Sequence, residues 1–250
     1  RGASLLHGGE FMAPMYGLCI DQQGSLFVAD NGNNRIQKFD NAGNFIILWG
    51  NFGSANANFH NPTGTACDGK GDVWVVDTNN HRVQKFDGKL GGYLMKFGSR
   101  GNGEGQFNAP WGIAVDRVRG FVYVVDSANF RVQKFDLSGE FIMAWGSFGT
   151  GDGQFYFPRG VAGDQSDGAV YIVDMGNHRI QKFDRNGQFV TSIELGQAWL
   201  TTTLVAAAVT VLCFAVRNHT ALAFVTVLAV ASLVPMAQQG HAAGAAGHNA

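Results

Sequence analysis

The sequence predicts an all-β fold of four repeated units, followed by two membrane-spanning α-helices. Three observations predict it. An eleven-residue motif occurs four times: "DNGNNRIQKFD" from Asp30, "DTNNHRVQKFD" from Asp77, "DSANFRVQKFD" from Asp126 and "DMGNHRIQKFD" from Asp174. The starts lie 47, 49 and 48 residues apart, so the chain is a repeat protein. Each repeat breaks into short apolar runs at Asp, Asn and Gly turns, with no helical period across the breaks. After Glu194 the composition changes to two long runs without charge.

Residues 110–146 show one repeat in full. "PWGIAVD", "GFVYVVD", "RVQKFD" and "GEFIMAWG" read as four strands in that order. The second strand ("LFVAD", "VWVVD", "VYVVD", "VYIVD") is apolar on both faces and must be covered on both sides. Stacked four-stranded sheets do this, which is the packing of a β-propeller. The repeats are placed at about 14–50, 62–98, 110–146 and 158–196, within a domain of residues 1–196.

The turn residues have local reasons. Asp21, Asp68, Asp116 and Asp164 each precede a Gly by three or four residues, the pattern of an Asx turn closed by a Gly at positive φ. Asp30, Asp77, Asp126 and Asp174 are each followed five residues later by Arg35, Arg82, Arg131 or Arg179. Such pairs are expected to pin a turn or tie neighbouring blades, because a catalytic site usually breaks repeat symmetry. His81 and His178 alternate with Asn34 and Phe130, so that position is not a required metal ligand.

"NHRVQKFD" and "NHRIQKFD", with "PxGxAxD" and "VYVVD" upstream, resemble NHL repeats. The resemblance covers residues 5–196 and implies a β-propeller of four-stranded blades. Many members of that family have six blades, whereas four are visible here. The four are expected to close a ring alone, the other possibility being completion by upstream blades. The chain opens on Arg1, inside what reads as an interblade loop, so an upstream segment such as a signal peptide is expected.

The tail reads differently. "WLTTTLVAAAVTVLCFAV" (199–216) and "ALAFVTVLAVASLVPMA" (221–237) flank "RNHT". At 1.5 Å per residue each run reaches about 25–27 Å, enough for a thin or adapted bilayer. A single helix would bury Arg217 in mid-membrane at a cost of about 2.5–3.5 kcal/mol. A transmembrane hairpin over 197–238 is therefore preferred, with a small-residue and His tail at 239–250. Arg217 places the hairpin turn in the cytoplasm and the propeller on the periplasmic or extracellular side, with Trp199 at the outer interface.

Composition bounds the function. A formal net charge of −1 argues against nucleic acid. Three cysteines suggest no disulfide framework. Cys19 and Cys67 read as the same repeat position, beyond bridging distance, and Cys213 as an apolar-run residue. Residues just after the repeated Pro differ in every blade: Met15 and Tyr16, Thr63, Trp111, Arg159. Asymmetry on a symmetric scaffold marks them as candidate partner-binding residues. The resemblance also includes zinc-dependent amidating lyases with channel histidines. Here His7, His60, His81 and His178 lie outside the first-strand motifs. No catalytic residue, metal or cofactor is assigned. The reading is a membrane-anchored extracytoplasmic interaction or scaffold subunit, contacting other membrane subunits through its helices and rim, and the lipid bilayer. The alternative is an extracytoplasmic propeller enzyme, such as a metal-dependent lyase acting on a small or peptide substrate.

Overall fold

The computed structural model of the chain describes residues 7–194. Four antiparallel sheets of four strands follow one another, each in simple sequential order. The first holds β1 (Leu18–Ile20), β2 (Leu26–Asp30), β3 (Arg35–Phe39) and β4 (Phe45–Trp49). The second holds β5 (Pro62–Cys67), β6 (Val73–Asp77), β7 (Arg82–Phe86) and β8 (Tyr93–Phe97). The third holds β9 (Pro110–Asp116), β10 (Phe121–Asp126), β11 (Arg131–Asp136) and β12 (Phe141–Trp145). A short parallel pair, β13 (Ser147–Phe148) and β14 (Gln154–Phe155), lies in the next connection. The fourth sheet holds β15 (Pro158–Gly163), β16 (Val170–Asp174), β17 (Arg179–Phe183) and β18 (Phe189–Glu194). The expected strands of residues 110–146 are thus present, and each four-stranded sheet is one propeller blade.

The first strands of consecutive blades pack side by side: β1 on β5, β5 on β9, β9 on β15. Glycine permits the approach. A Cβ on Gly17, Gly64 or Gly112 would run into the backbone of the next inner strand at Thr63, Trp111 or Arg159. Between blades lie the cores. Phe27 and Ala29 of β2 face Val73 and Val75 of β6; Trp74 and Val76 face Val122 and Val124; Tyr123 and Val125 face Val170 and Ile172. This is why the second strands are apolar on both faces: alternate side chains serve two different interfaces.

A fourth such core, between the last blade and the first, is absent among the described residues. Leu26 and Val28 at one end, and Tyr171 and Val173 at the other, stay partly exposed where their counterparts are buried. Gly160 has no inner strand beyond it, only Val173 of its own blade. The four blades form an arc and do not close the ring that the sequence leads one to expect.

The cysteine expectation is also corrected. Cys19 and Cys67 form a disulfide, with Cα atoms 5.8 Å apart. Strand register explains it. Cys19 pairs with Phe27, whereas Cys67 pairs with Val73, the counterpart of Leu26. Cys67 therefore corresponds to Ile20, and Cys19 to Ala66. The first repeat carries one extra residue between its Pro and its Gly (Pro14, Gly17), where the second has only Thr63. A one-residue shift turns a side chain to the opposite face. Cys19 thus points forward and Cys67 backward, and they meet in the core between the first two blades.

No helix among the described residues is long and apolar enough to cross a membrane. The hairpin expected over 197–238 and the 239–250 tail, with Trp199, Cys213 and Arg217, lie outside the described residues.

Candidate interaction face

The repeated motif builds one network four times. In the second blade Asp77 is fully buried. Its Oδ2 accepts from Arg82 Nε at 2.7 Å, Asn80 Nδ2 at 2.9 Å and Gln84 Nε2 at 3.1 Å, and its Oδ1 accepts from the His60 N–H at 2.7 Å. Arg82 then donates to the carbonyls of Ser54, Ala55 and Asn58. The network holds the loop entering the blade onto the turn between its second and third strands. Asp30, Asp126 and Asp174 repeat it with Arg35, Arg131 and Arg179 at 2.8, 2.8 and 2.9 Å. The pairs join the two ends of each turn and clamp the entering loops as well.

Between each Asp and Arg lies one turn of 3-10 helix closed by Asn34, His81, Phe130 or His178, all near φ +54°. Asn and His tolerate this left-handed conformation better than most residues. They also accept a bond from the next blade: Asn34 Oδ1 from Asn61 N–H at 2.8 Å, His81 Nδ1 from Ala109 N–H at 3.1 Å. Desolvation, the largest influence, and the charge of Arg100 lower the His81 pKa against the opposing pull of Asp126 and Asp77. The Asp21-type carboxylates take their Asx-turn role: Asp21 accepts the Gln23 and Ser25 N–H groups, and Asp68 those of Lys70 and Asp72.

Symmetry breaks where the inner strands begin. Counted back from the close-packed Gly, the equivalent residues are Tyr16, Thr63, Trp111 and Arg159. The fold brings them together. The Arg159 guanidinium lies over the Trp111 ring, 3.5 Å from its centroid. The Tyr16 ring meets the same indole edge-on at 5.0 Å, from two blades away. Thr63 is buried beneath, donating to the Trp111 carbonyl at 2.8 Å and bonded to Thr78. Met15 is separate. It lines an apolar groove of about 330 Å³ on the uncovered face of the first blade, with Phe11, Leu26, Val28 and Phe39.

Two residues before Arg159 in the chain begins an aromatic cluster that sequence reasoning missed. Phe130, at the left-handed position, packs on Phe148 at 5.1 Å and Phe157 at 6.0 Å, and Tyr156 joins both. Phe148 is 63% exposed, and Phe52 in the equivalent connection of the first repeat 68%. The cluster's signal was the run "FYFP" (155–158), where other repeats have "FHNP" and "FNAP". Where the inner strands end, Arg117 donates to the carbonyls of Cys67 and Ile20, tying the third blade to the first two. Among the described residues no three His, Cys, Asp or Glu side chains converge as a metal site.

Comparison with known proteins agrees with this geometry. The NHL repeat model matches residues 17–39, 59–86 and 107–135. A model described as the copper resistance protein D-like, N-terminal domain matches residues 169–249, beginning in the fourth blade. Neither match reaches half of the chain. A stretch of 38 residues is 55% identical to Protein lin-41 of Caenorhabditis elegans, over 15% of this chain and 3% of that protein. Among solved structures, virginiamycin B lyase from Staphylococcus aureus superposes with a TM-score of 0.56 at 14% identity, covering 73% of this chain and 56% of the lyase. The nidogen/laminin complex gives 0.55 at 19%, with coverages of 72% and 65%. Kuenenia stuttgartiensis hydrazine synthase gives 0.58 at 15%, with 79% and 53%. The chain spans between about half and two thirds of these solved chains. At such identities the likeness is one of fold. The described residues form an NHL-type propeller.

Proposed function

We propose that the chain is a membrane-anchored extracytoplasmic propeller that serves as a protein-interaction or accessory subunit of a membrane complex. One observation carries this reading. The Asp–Arg–Gln network is the same in every blade, whereas Tyr16, Trp111 and Arg159 converge at the start of the inner strands beside exposed aromatic rings. Conserving the frame while varying one face is how repeat scaffolds present recognition surfaces. The Cys19–Cys67 disulfide suits an oxidising compartment, which supports a periplasmic or extracellular propeller. The apolar runs at 199–216 and 221–237 support a membrane anchor. The likeness of residues 169–249 to a copper resistance protein D-like domain makes a membrane complex that handles copper the first class of partner to test. The lyase-like alternative finds no convergent donor set among the described residues.

The test is truncation after Leu195. The full chain, purified from membranes in mild detergent, should carry a co-purifying membrane protein. The truncated chain should be soluble, retain its β-sheet spectrum and lose that protein. A truncated chain that still sediments with membranes in high salt and keeps its partner would remove the anchor from the reading.

A further inference from the structure

Arg159 differs from the arginines of the repeated motif. Arg35, Arg82, Arg131 and Arg179 are each paired with a buried Asp, and Arg119 with Asp116. Arg159 has no carboxylate partner among the described residues. Its Nε is buried without a hydrogen-bond partner. That N–H is shut away from solvent, so the terminal nitrogens of this partly exposed side chain are the ones a ligand can reach. The stacking says from where. A guanidinium flat on an indole spends its faces on the ring and keeps its N–H edges in plane, the geometry for a bidentate carboxylate. Burial also lowers the Arg159 pKa, with Tyr16 acting the other way, and an incoming anion would offset that cost.

The surroundings select the rest of the ligand. Phe148, Tyr156 and Phe157 form an exposed aromatic surface on partly buried Phe130, and it begins two residues before Arg159 in the chain. A polynucleotide would need several cations along its phosphates. One unpaired cation beside an apolar surface suits one carboxylate next to an apolar side chain.

We propose that Arg159, held flat on Trp111 beside Tyr16, receives a carboxylate of a partner peptide, whose neighbouring aromatic or aliphatic side chain packs on the Phe130–Phe148–Tyr156–Phe157 surface. This rests on the interaction reading above and names its chemistry. The carboxylate is a peptide C-terminus or an Asp or Glu side chain.

The test uses the full chain in detergent and a hexapeptide library prepared in two forms, with free and with amidated C-termini. Selection should enrich peptides that pair an apolar residue with a carboxylate. Enrichment confined to the free form assigns the C-terminus, and enrichment of Asp or Glu in both forms assigns the side chain. For the best peptide, R159Q should weaken binding about tenfold or more, the scale of a lost charge-assisted pair. Arg159→Lys, which keeps charge without the planar fork and guards against a folding failure, should also weaken it. Lys89→Gln, exposed and remote, should not. Binding that ignores the carboxylate, or that survives R159Q and Arg159→Lys unchanged, overturns the proposal. So does displacement of the peptide by a short single-stranded RNA. If those variants bind peptide normally while the membrane partner still co-purifies, the carboxylate site falls and the interaction reading stands.

Discussion

Replacing Arg82 with Ala should lower stability by about 3 kcal/mol and leave partner binding intact. The magnitude follows from what the side chain leaves behind. Its Nε–Asp77 bond of 2.7 Å joins a carboxylate that is fully buried. Removing one partner of a buried pair costs about 3–5 kcal/mol when the remaining charge is uncompensated. Asp77 is not abandoned: the His60 N–H, Asn80 and Gln84 still donate to it. The carbonyls of Ser54 and Ala55 belong to exposed residues and rehydrate. The lower end of that range is therefore expected. In urea the unfolding midpoint should fall by about 1 M or more. Hydrogen exchange should speed up at the amides of Gly53 and Phe59, whose bonds close the clamped loop. An unchanged midpoint with unchanged protection, accompanied by lost partner binding, would show that the motif is a recognition site and not a clamp.

Two further outcomes follow from the same geometry. Cys67→Ser should destabilise the arc by about 2–4 kcal/mol, since a bridge spanning 48 residues restrains the unfolded chain by about 4 kcal/mol in the chain-entropy model; equal urea midpoints for oxidised and reduced wild type would refute this. His81→Asn should flatten part of the pH dependence of stability. The folded His81 pKa lies below its ordinary 6.5, so the unfolded chain binds more protons between the two values. The His81 contribution is complete above about pH 6.5 and is lost as pH falls through the window beneath it. Asn should hold the Ala109 N–H at either pH, as Asn34 holds that of Asn61. Thermal unfolding at pH 8 and pH 5 that changes equally in wild type and variant would sink the idea.

The blades were legible in the sequence because every local signal recurs. Asp, Gly and two-faced apolar strands fall at the same offsets in each repeat, so one reading is checked four times. What was not legible depends on register and on contact across blades. The disulfide was missed because repeats were aligned on Pro14 and Pro62, and the extra residue before Gly17 moved Cys19 to the other face. Counting back from Gly would have shown it. The rim positions were identified from their variability, but their convergence on Trp111 needs the curvature of the arc. Thr63 shared that variability and is buried, so variation alone did not separate exposed from covered positions. The aromatic cluster was hidden because its rings come from a turn and a loop with no common period. Closure of the ring was unreadable, since a terminal blade carries the same strands as an interior one.

The two kinds of position are physically linked. At the inner strands the backbones meet through Gly17, Gly64 and Gly112, so blade spacing there does not depend on the side chain that precedes each Gly. The entering loops are held from behind by the Asp–Arg–Gln network, at buried residues that tolerate little change. The residue between clamp and Gly therefore does not set blade spacing, and it is Tyr, Thr, Trp or Arg in the four blades. That freedom sits where four blades bring their variable residues within reach of one another. A stack such as Tyr16–Trp111–Arg159 can arise there by single substitutions in separate repeats. Its placement on a rigid frame limits the entropy lost when a ligand binds, because the rings and the guanidinium already restrain one another. The chemistry of this chain is therefore to be sought where its repeats disagree.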